Sequence, residues 1–270
     1  WSQMGNRGWG YADVLPYFKR SERRVGDGDN AYRGRDGELV ITDIDRPDAI
    51  CDAFIDGVAN LGIPRAQDYN GATQEGVGYF QRTIHKGRRM SAARAFLNPA
   101  RGRPNLEIRT RANVSRIVFS ERRASGVVYR RGDQTHEVRA RREVLLAGGA
   151  IASPQILQVS GIGDPDMLRG INVPVVHALP GVGENLSDHF GVRLAARVRN
   201  ARTLNERAQG MPLAGEIAKY LLFRKGVLAQ SPGVALALCK SRPALEHPDL
   251  QVIFAPASYK EDAAYQLDDF

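Results

Sequence analysis

The sequence has only two cysteines and six lysines in 270 residues, and no apolar run long enough to cross a bilayer. A membrane-spanning helix needs about 18 or more uncharged apolar residues in succession, so none is expected. Cys51 and Cys239 lie far apart, one in a helical pattern and one ending an apolar run. That excludes a disulfide framework and fits a reducing compartment, so the expected location is cytoplasmic. No Cys or His pair has metal-ligand spacing, and no metal site is expected. No basic segment leads into an apolar one at the start, so no signal peptide is read. A chain that opens at Trp1 reads as a piece of a longer protein.

What is present is ordinary for a folded chain: 43% hydrophobic, 25% charged and 7% aromatic residues. Collagen-like, mucin-like and disordered classes are excluded. The net charge of +8 comes from 38 basic and 30 acidic residues, and 32 of the basic ones are Arg. Such a surplus raises a nucleic-acid reading. The arginines are mixed with Asp and Glu and densest over 101–142, with no aromatic-interleaved basic helix beside them. No nucleic-acid partner is expected.

Along the chain, Tyr11–Arg23 reads as an amphipathic helix with Val14, Leu15 and Phe18 on one face, and 26–46 as a long loop. Asp48 caps a predicted helix running to Asn60, 64–90 reads as irregular, and Ser91 caps a short helix before Pro99. Segments 106–110, 114–120, 124–131 and 135–141 alternate or are β-branched, which predicts an antiparallel meander. The apolar run from Glu143 predicts a strand of a parallel sheet, followed by a Gly148-Gly149 turn and a helix from about Ser153. Residues 179–189 read as turns, and a mixed second domain begins near residue 190, with a strand at 193–199, a helix at 214–224 and strands at 234–239 and 250–257.

The Gly148-Gly149 turn is the best chemical lead, because glycine lets a backbone approach a ligand and a helix N-terminus follows. A tight turn that touches nothing is the competing reading. No G-x-G-x-x-G occurs; GDGDNA (26–31) fits a looser form, but no strand precedes it and it reads as loop. Ser160 stands in VSGIG, outside a hydrolase elbow. Of five histidines, His136, His177 and His247 read as surface residues. His85 precedes a basic run, and His189 stands beside Asp188, as a dyad or as part of a turn.

The stretch EVLLAGGAIASPQILQVSGIGDPDMLRGINVPVVHALPGVGENLSDH (143–189) resembles the signature region of the glucose–methanol–choline oxidoreductases. WSQMGNRGWGYADVLPYFKRSE at the start and YNGATQEGVGYFQRTIHKGRRMSAARAFLNPA (69–100) resemble two further segments of that family, nearest its choline dehydrogenase-like branch. The resemblance covers residues 1 to about 190 well and the remainder loosely.

It implies a mixed α/β architecture. Residues 1–190 would be part of an FAD-binding, doubly wound domain with an antiparallel meander, and 191–270 the start of a mixed sheet-and-helix substrate domain. It implies FAD as cofactor and oxidation of a small-molecule alcohol by hydride transfer to the flavin. Val114, ending LEIRTRANV, corresponds to a residue that meets the adenine end of FAD through its backbone; Gly148 and Gly149 correspond to a turn near the cofactor. Asn185, Asp188 and His189 match a domain junction, with a positional role. Two departures stand out. The family's N-terminal G-x-G-x-x-G unit is not in this chain, and its catalytic base belongs to a motif expected beyond Phe270, so no catalytic residue is assigned. Arg33 stands where family members often have His. A truncated homologue acting as a binding module is the alternative.

Overall fold

The structure is a computed structural model that describes residues 1–258 except Arg46 and Pro232. The chain forms two compact units, Trp1–Arg103 with the chain from Leu194 onward, and Pro104–Arg193.

In the first unit, helix α1 (Tyr11–Ser21) starts after Gly10, whose N–H donates to Asp13 at its N-terminus. Val14 and Leu15 are half-buried, but Phe18 remains 68% exposed. Strand β1 (Glu22–Val25) follows at once and pairs in parallel with β2 (Leu39–Thr42), so the expected long loop contains a strand at its β-branched Val40-Ile41-Thr42. Two glycines make this crossing possible. A Cβ on Gly34 would strike the Lys19 carbonyl, and one on Gly37 the Ser21 backbone. Helix α2 (Ala49–Asn60) is capped as expected, the Asp48 carboxylate accepting from the Ile50 N–H at 3.0 Å.

The segment read as irregular carries three short strands instead: β3 (Gly76–Tyr79), β4 (Ile84–His85) and β5 (Arg88–Arg89). Glycine-rich β3 lacks the alternation that marks a strand, and its pairing comes from distant residues. Ser91 accepts from the Arg94 N–H at 3.3 Å, and a π-helical turn (Ala93–Leu97) leads into α3 (Asn98–Ala100).

The second unit opens with 106–110, which forms no ladder, contrary to expectation. Its Arg109 instead donates to the Tyr129 hydroxyl at 2.7 Å and to Glu107 at 2.6 Å. The meander itself is β6 (Asn113–Ser120), β7 (Arg123–Arg131) and β8 (Gln134–Arg139), antiparallel in that order. The Glu143–Ala147 run is a correction: it has no ladder partner among the described residues, and Leu145 is 82% exposed. Ladder bonds are made between strands, so an apolar sequence without a neighbour stays a single extended segment. Helix α4 (Gly149–Val159) packs on β6, and the Ile117 N–H donates to Ser160 Oγ at 2.8 Å just beyond its end. A two-residue parallel pair, β9 (Ile162–Gly163) with β10 (His177–Ala178), flanks α5 (Pro165–Gly170), whose cap Asp164 accepts from two backbone N–H groups.

Across the return to the first unit, residues 193–199 form no strand, contrary to expectation, and Leu194 is 95% exposed. Then come α6 (Leu204–Arg207), α7 (Gly210–Phe223), β11 (Ala235–Cys239) and β12 (Leu250–Phe254). β11 sits between β12 and β3, antiparallel to both. Its Ala235 and Ala237 join Cys51, Ile55, Val77 and Val234 in the core beneath α2, where Phe54 stacks on Phe254 at 4.4 Å.

Candidate functional site

Val114, Gly148 and Gly149 all fall in the second unit. Val114 is half-buried on β6, opposite Tyr129, and the register shifts between Val114 and Arg116, so Ser115 is an extra residue in the ladder. β6 is the outer strand of its sheet, with one edge unpaired by any strand. Three residues further on, the Ile117 N–H of β6 donates to Ser160 Oγ. On the sheet face that Val114 shares, Tyr129 stacks with His136 at 5.1 Å, and Arg109 lies over the Tyr129 ring. Glu107 and the Tyr129 hydroxyl push the Arg109 pKa up, keeping the guanidinium charged.

Gly149 opens α4 at φ 86°, a left-handed backbone that favours glycine, and no atom lies within 4 Å of where a Cβ would be. Gly148 precedes it, and no side chain caps the helix. The turn is open at Gly149, whereas a Cβ on Gly148 would lie 3.3 Å from Ala152 Cβ and from Ser153 N and Oγ. An edge strand at Val114 and a turn open at Gly149 are the places where backbone atoms could hold a cofactor. The residues that would hold its pyrophosphate are not among them.

At the Asp188–His189 pair the carboxylate bonds backbone, and among the described residues no hydrogen bond joins it to the imidazole. Asp188 accepts from the backbone N–H of His189 at 2.8 Å, and both side chains are exposed. Gly26 and Gly28 form a loop fastened by Arg35, which donates to their carbonyls at 2.7 and 2.5 Å. His85 is half-buried in β4, and His177 meets Arg122 at 3.4 Å. Among the described residues no cluster could hold a metal ion.

Sequence reasoning missed a cavity of about 820 Å³ in the first unit, walled by α1, β2 and residues 69–75, with Glu22, Arg33 and Gln81 among its lining. The Arg33 side chain is 2% exposed and is held by Glu22 at 2.5 Å, Asp68 at 2.7 Å and Gln81 at 2.7 Å. The Tyr69 hydroxyl accepts from the Gln81 N–H at 2.9 Å, and burial raises its pKa. Asp68 Oδ2 is buried with no partner. The one signal available was Arg33 in place of the resembling family's His.

Comparison with known proteins decides the family. The GMC oxidoreductase family model matches residues 1–191. The chain belongs to the GMC oxidoreductases. An oxygen-dependent choline dehydrogenase 1 of Chromohalobacter salexigens is 42% identical over 100% of this chain and 49% of its own length. An oxygen-dependent choline dehydrogenase of Brucella anthropi is 39% identical over 97% of this chain and 47% of its own. Among solved structures, an FAD-dependent oxidoreductase from Chaetomium thermophilum superposes with a TM-score of 0.77 at 26% identity, covering 88% of this chain and 44% of that one. The chain spans about half the length of the curated relatives it matches. Within this GMC chain no described helix is long and apolar enough to cross a membrane.

Proposed function

We propose that the protein to which this chain belongs is an FAD-dependent oxidoreductase that oxidises the CH–OH group of a small alcohol, with choline the first candidate. The observation that carries this reading is the GMC match over residues 1–191, together with curated relatives named as choline dehydrogenases. In this reading 1–190 is the FAD-binding part and 191–270 begins the substrate part. FAD would supply the redox chemistry, as the acceptor of the hydride that alcohol oxidation releases. The chain's own work is positional. The β6 backbone at Val114 would hold the adenine edge, which needs no particular side chain. The Gly148-Gly149 turn gives the cofactor access to the backbone, and the uncapped start of α4 favours nearby negative charge. Free thiols at Cys51, buried, and Cys239, half-buried, support a cytoplasmic location.

The test is anaerobic mixing of the full-length, flavin-loaded protein with choline and a panel of simple primary alcohols. Bleaching of the flavin by one of them is expected. A fully flavinated, folded protein that none of them reduces overturns the proposal.

A further inference from the structure

The positive charge of this chain is not evenly spread. Residues 104–142, the stretch that includes the meander, hold ten arginines, no lysine and four acidic residues, a surplus of six out of the chain's eight. All ten arginines are exposed. Arg109 and Arg139 pair with Glu107 and Glu137, each at 2.6 Å. Among the described residues no carboxylate lies within ion-pair distance of the other eight.

The register places them. Arg116 and Glu137 both lie opposite Val128, Arg130 lies between Asn113 and Thr135, and Arg139 lies opposite Gly126. Residues directly opposite share a face, so Arg116, Arg130 and Arg139 stand together on one side of the sheet. Val114, Tyr129 and His136 share the other side. At one end of the sheet the cluster continues. Arg123 donates to the Arg142 carbonyl at 3.0 Å, and Arg139 reaches Ser125 Oγ at 3.4 Å, which gathers Arg122, Arg123, Arg139 and Arg142 at the β6–β7 turn.

We infer that this arginine face is a docking surface for a protein partner with a carboxylate-rich patch. Like charges crowded on one small sheet repel until an anion meets them. The exclusive use of Arg presents planar forks that match carboxylates in pairs. Glu121, Asp133 and Glu137 break the basic face into short clusters, which a run of carboxylates on a polypeptide can follow more readily than the fixed plane of a bilayer. The meander offers no exposed aromatic ring for base stacking: Tyr129 is 6% exposed and Phe119 is half-buried.

The test uses the full-length, flavin-loaded protein and poly-L-glutamate as probe, at about 50 mM and about 200 mM salt. Saturable binding that weakens at the higher salt is expected. The triple variant Arg116→Gln/Arg122→Gln/Arg130→Gln is expected to bind roughly 3- to 100-fold more weakly, with flavin content unchanged. The matched triple Arg116→Lys/Arg122→Lys/Arg130→Lys keeps the charge and guards against loss of fold; it is expected to bind between the two. A control that removes equal charge elsewhere, Arg7→Gln/Arg20→Gln/Arg242→Gln, is expected to bind like the parent. Equal losses in the two Gln triples, no binding at the lower salt, or tighter binding to duplex DNA or to phosphatidylcholine vesicles with about a third phosphatidylglycerol each overturn the inference.

Discussion

Replacing Arg33 by alanine is expected to cost about 3–5 kcal/mol of folding stability. The guanidinium is 2% exposed and makes two bonds to Glu22, at 2.5 and 3.2 Å, one to Asp68 and one to Gln81, both at 2.7 Å. Its removal leaves two carboxylates, 19% and 14% exposed, facing each other without a cation, and Asp68 Oδ2 already has no partner. An exposed ion pair is worth only about 0–1 kcal/mol, so the magnitude separates a buried cluster from a solvated one. The assay is urea unfolding followed by circular dichroism on parent and variant, with the midpoint falling and the slope unchanged. Arg33→His refines the test. An imidazolium between two carboxylates has its pKa raised in the fold, so its contribution is complete below the unfolded value of about 6.5 and lost as pH rises through the folded value. The His variant is therefore expected to be closer to the parent at about pH 5 than at about pH 9. A loss under about 1 kcal/mol in Arg33→Ala refutes the reasoning.

In the flavin-loaded full-length protein, Val114→Pro is expected to weaken FAD binding about five- to 150-fold, the cost of one buried hydrogen bond, while Val114→Ile changes little; flavin titration with a circular-dichroism check on folding measures both. Ile55→Ala, at a side chain 4% exposed beneath the β3–β11–β12 sheet, is expected to cost about 2–5 kcal/mol in the same urea assay. Burial, with Asp48 and Asp52 beside it, pushes the Cys51 thiol up to about 12. The native state then keeps a proton that the unfolded chain releases near its ordinary value, so stability is expected to fall as pH rises from about 9 toward 12. Tyr69, Tyr79 and Cys239 are pushed up as well, so Cys51→Ala is expected to make that slope shallower than the parent's, and unfolding curves across the range show it.

Where local chemistry decides structure, the reading from sequence held. The Asp48 cap, the α2 periodicity and the alternation of β6 to β8 are all signals carried within about ten residues, and each has its counterpart. β1 and β3 were illegible for the opposite reason. Glu-Arg-Arg-Val is polar and Gly-Val-Gly-Tyr is small, and both become strands through partners elsewhere in the chain. The Glu143–Ala147 run shows the converse, strong local preference without a neighbour to realise it. At the site, glycines 148 and 149 were visible as a turn. The Arg33 cluster was not, because Glu22, Asp68 and Gln81 converge only after β1 and β2 have paired.

The second unit is one continuous stretch, whereas the first is interrupted by it. On a ribosome that difference sets a timetable. β3 ends at Tyr79, yet its partner β11 begins only at Ala235, so the first unit's central sheet must wait while the whole intervening meander emerges. Closing so long a loop adds little to the equilibrium cost, since each doubling of length adds about 0.6 kcal/mol, but it delays the pairing. The meander, whose strands meet through short turns, can be complete before then. During synthesis the half-made α2, with Cys51 and Ile55 still lacking β11 as cover, is the surface that a chaperone would find first.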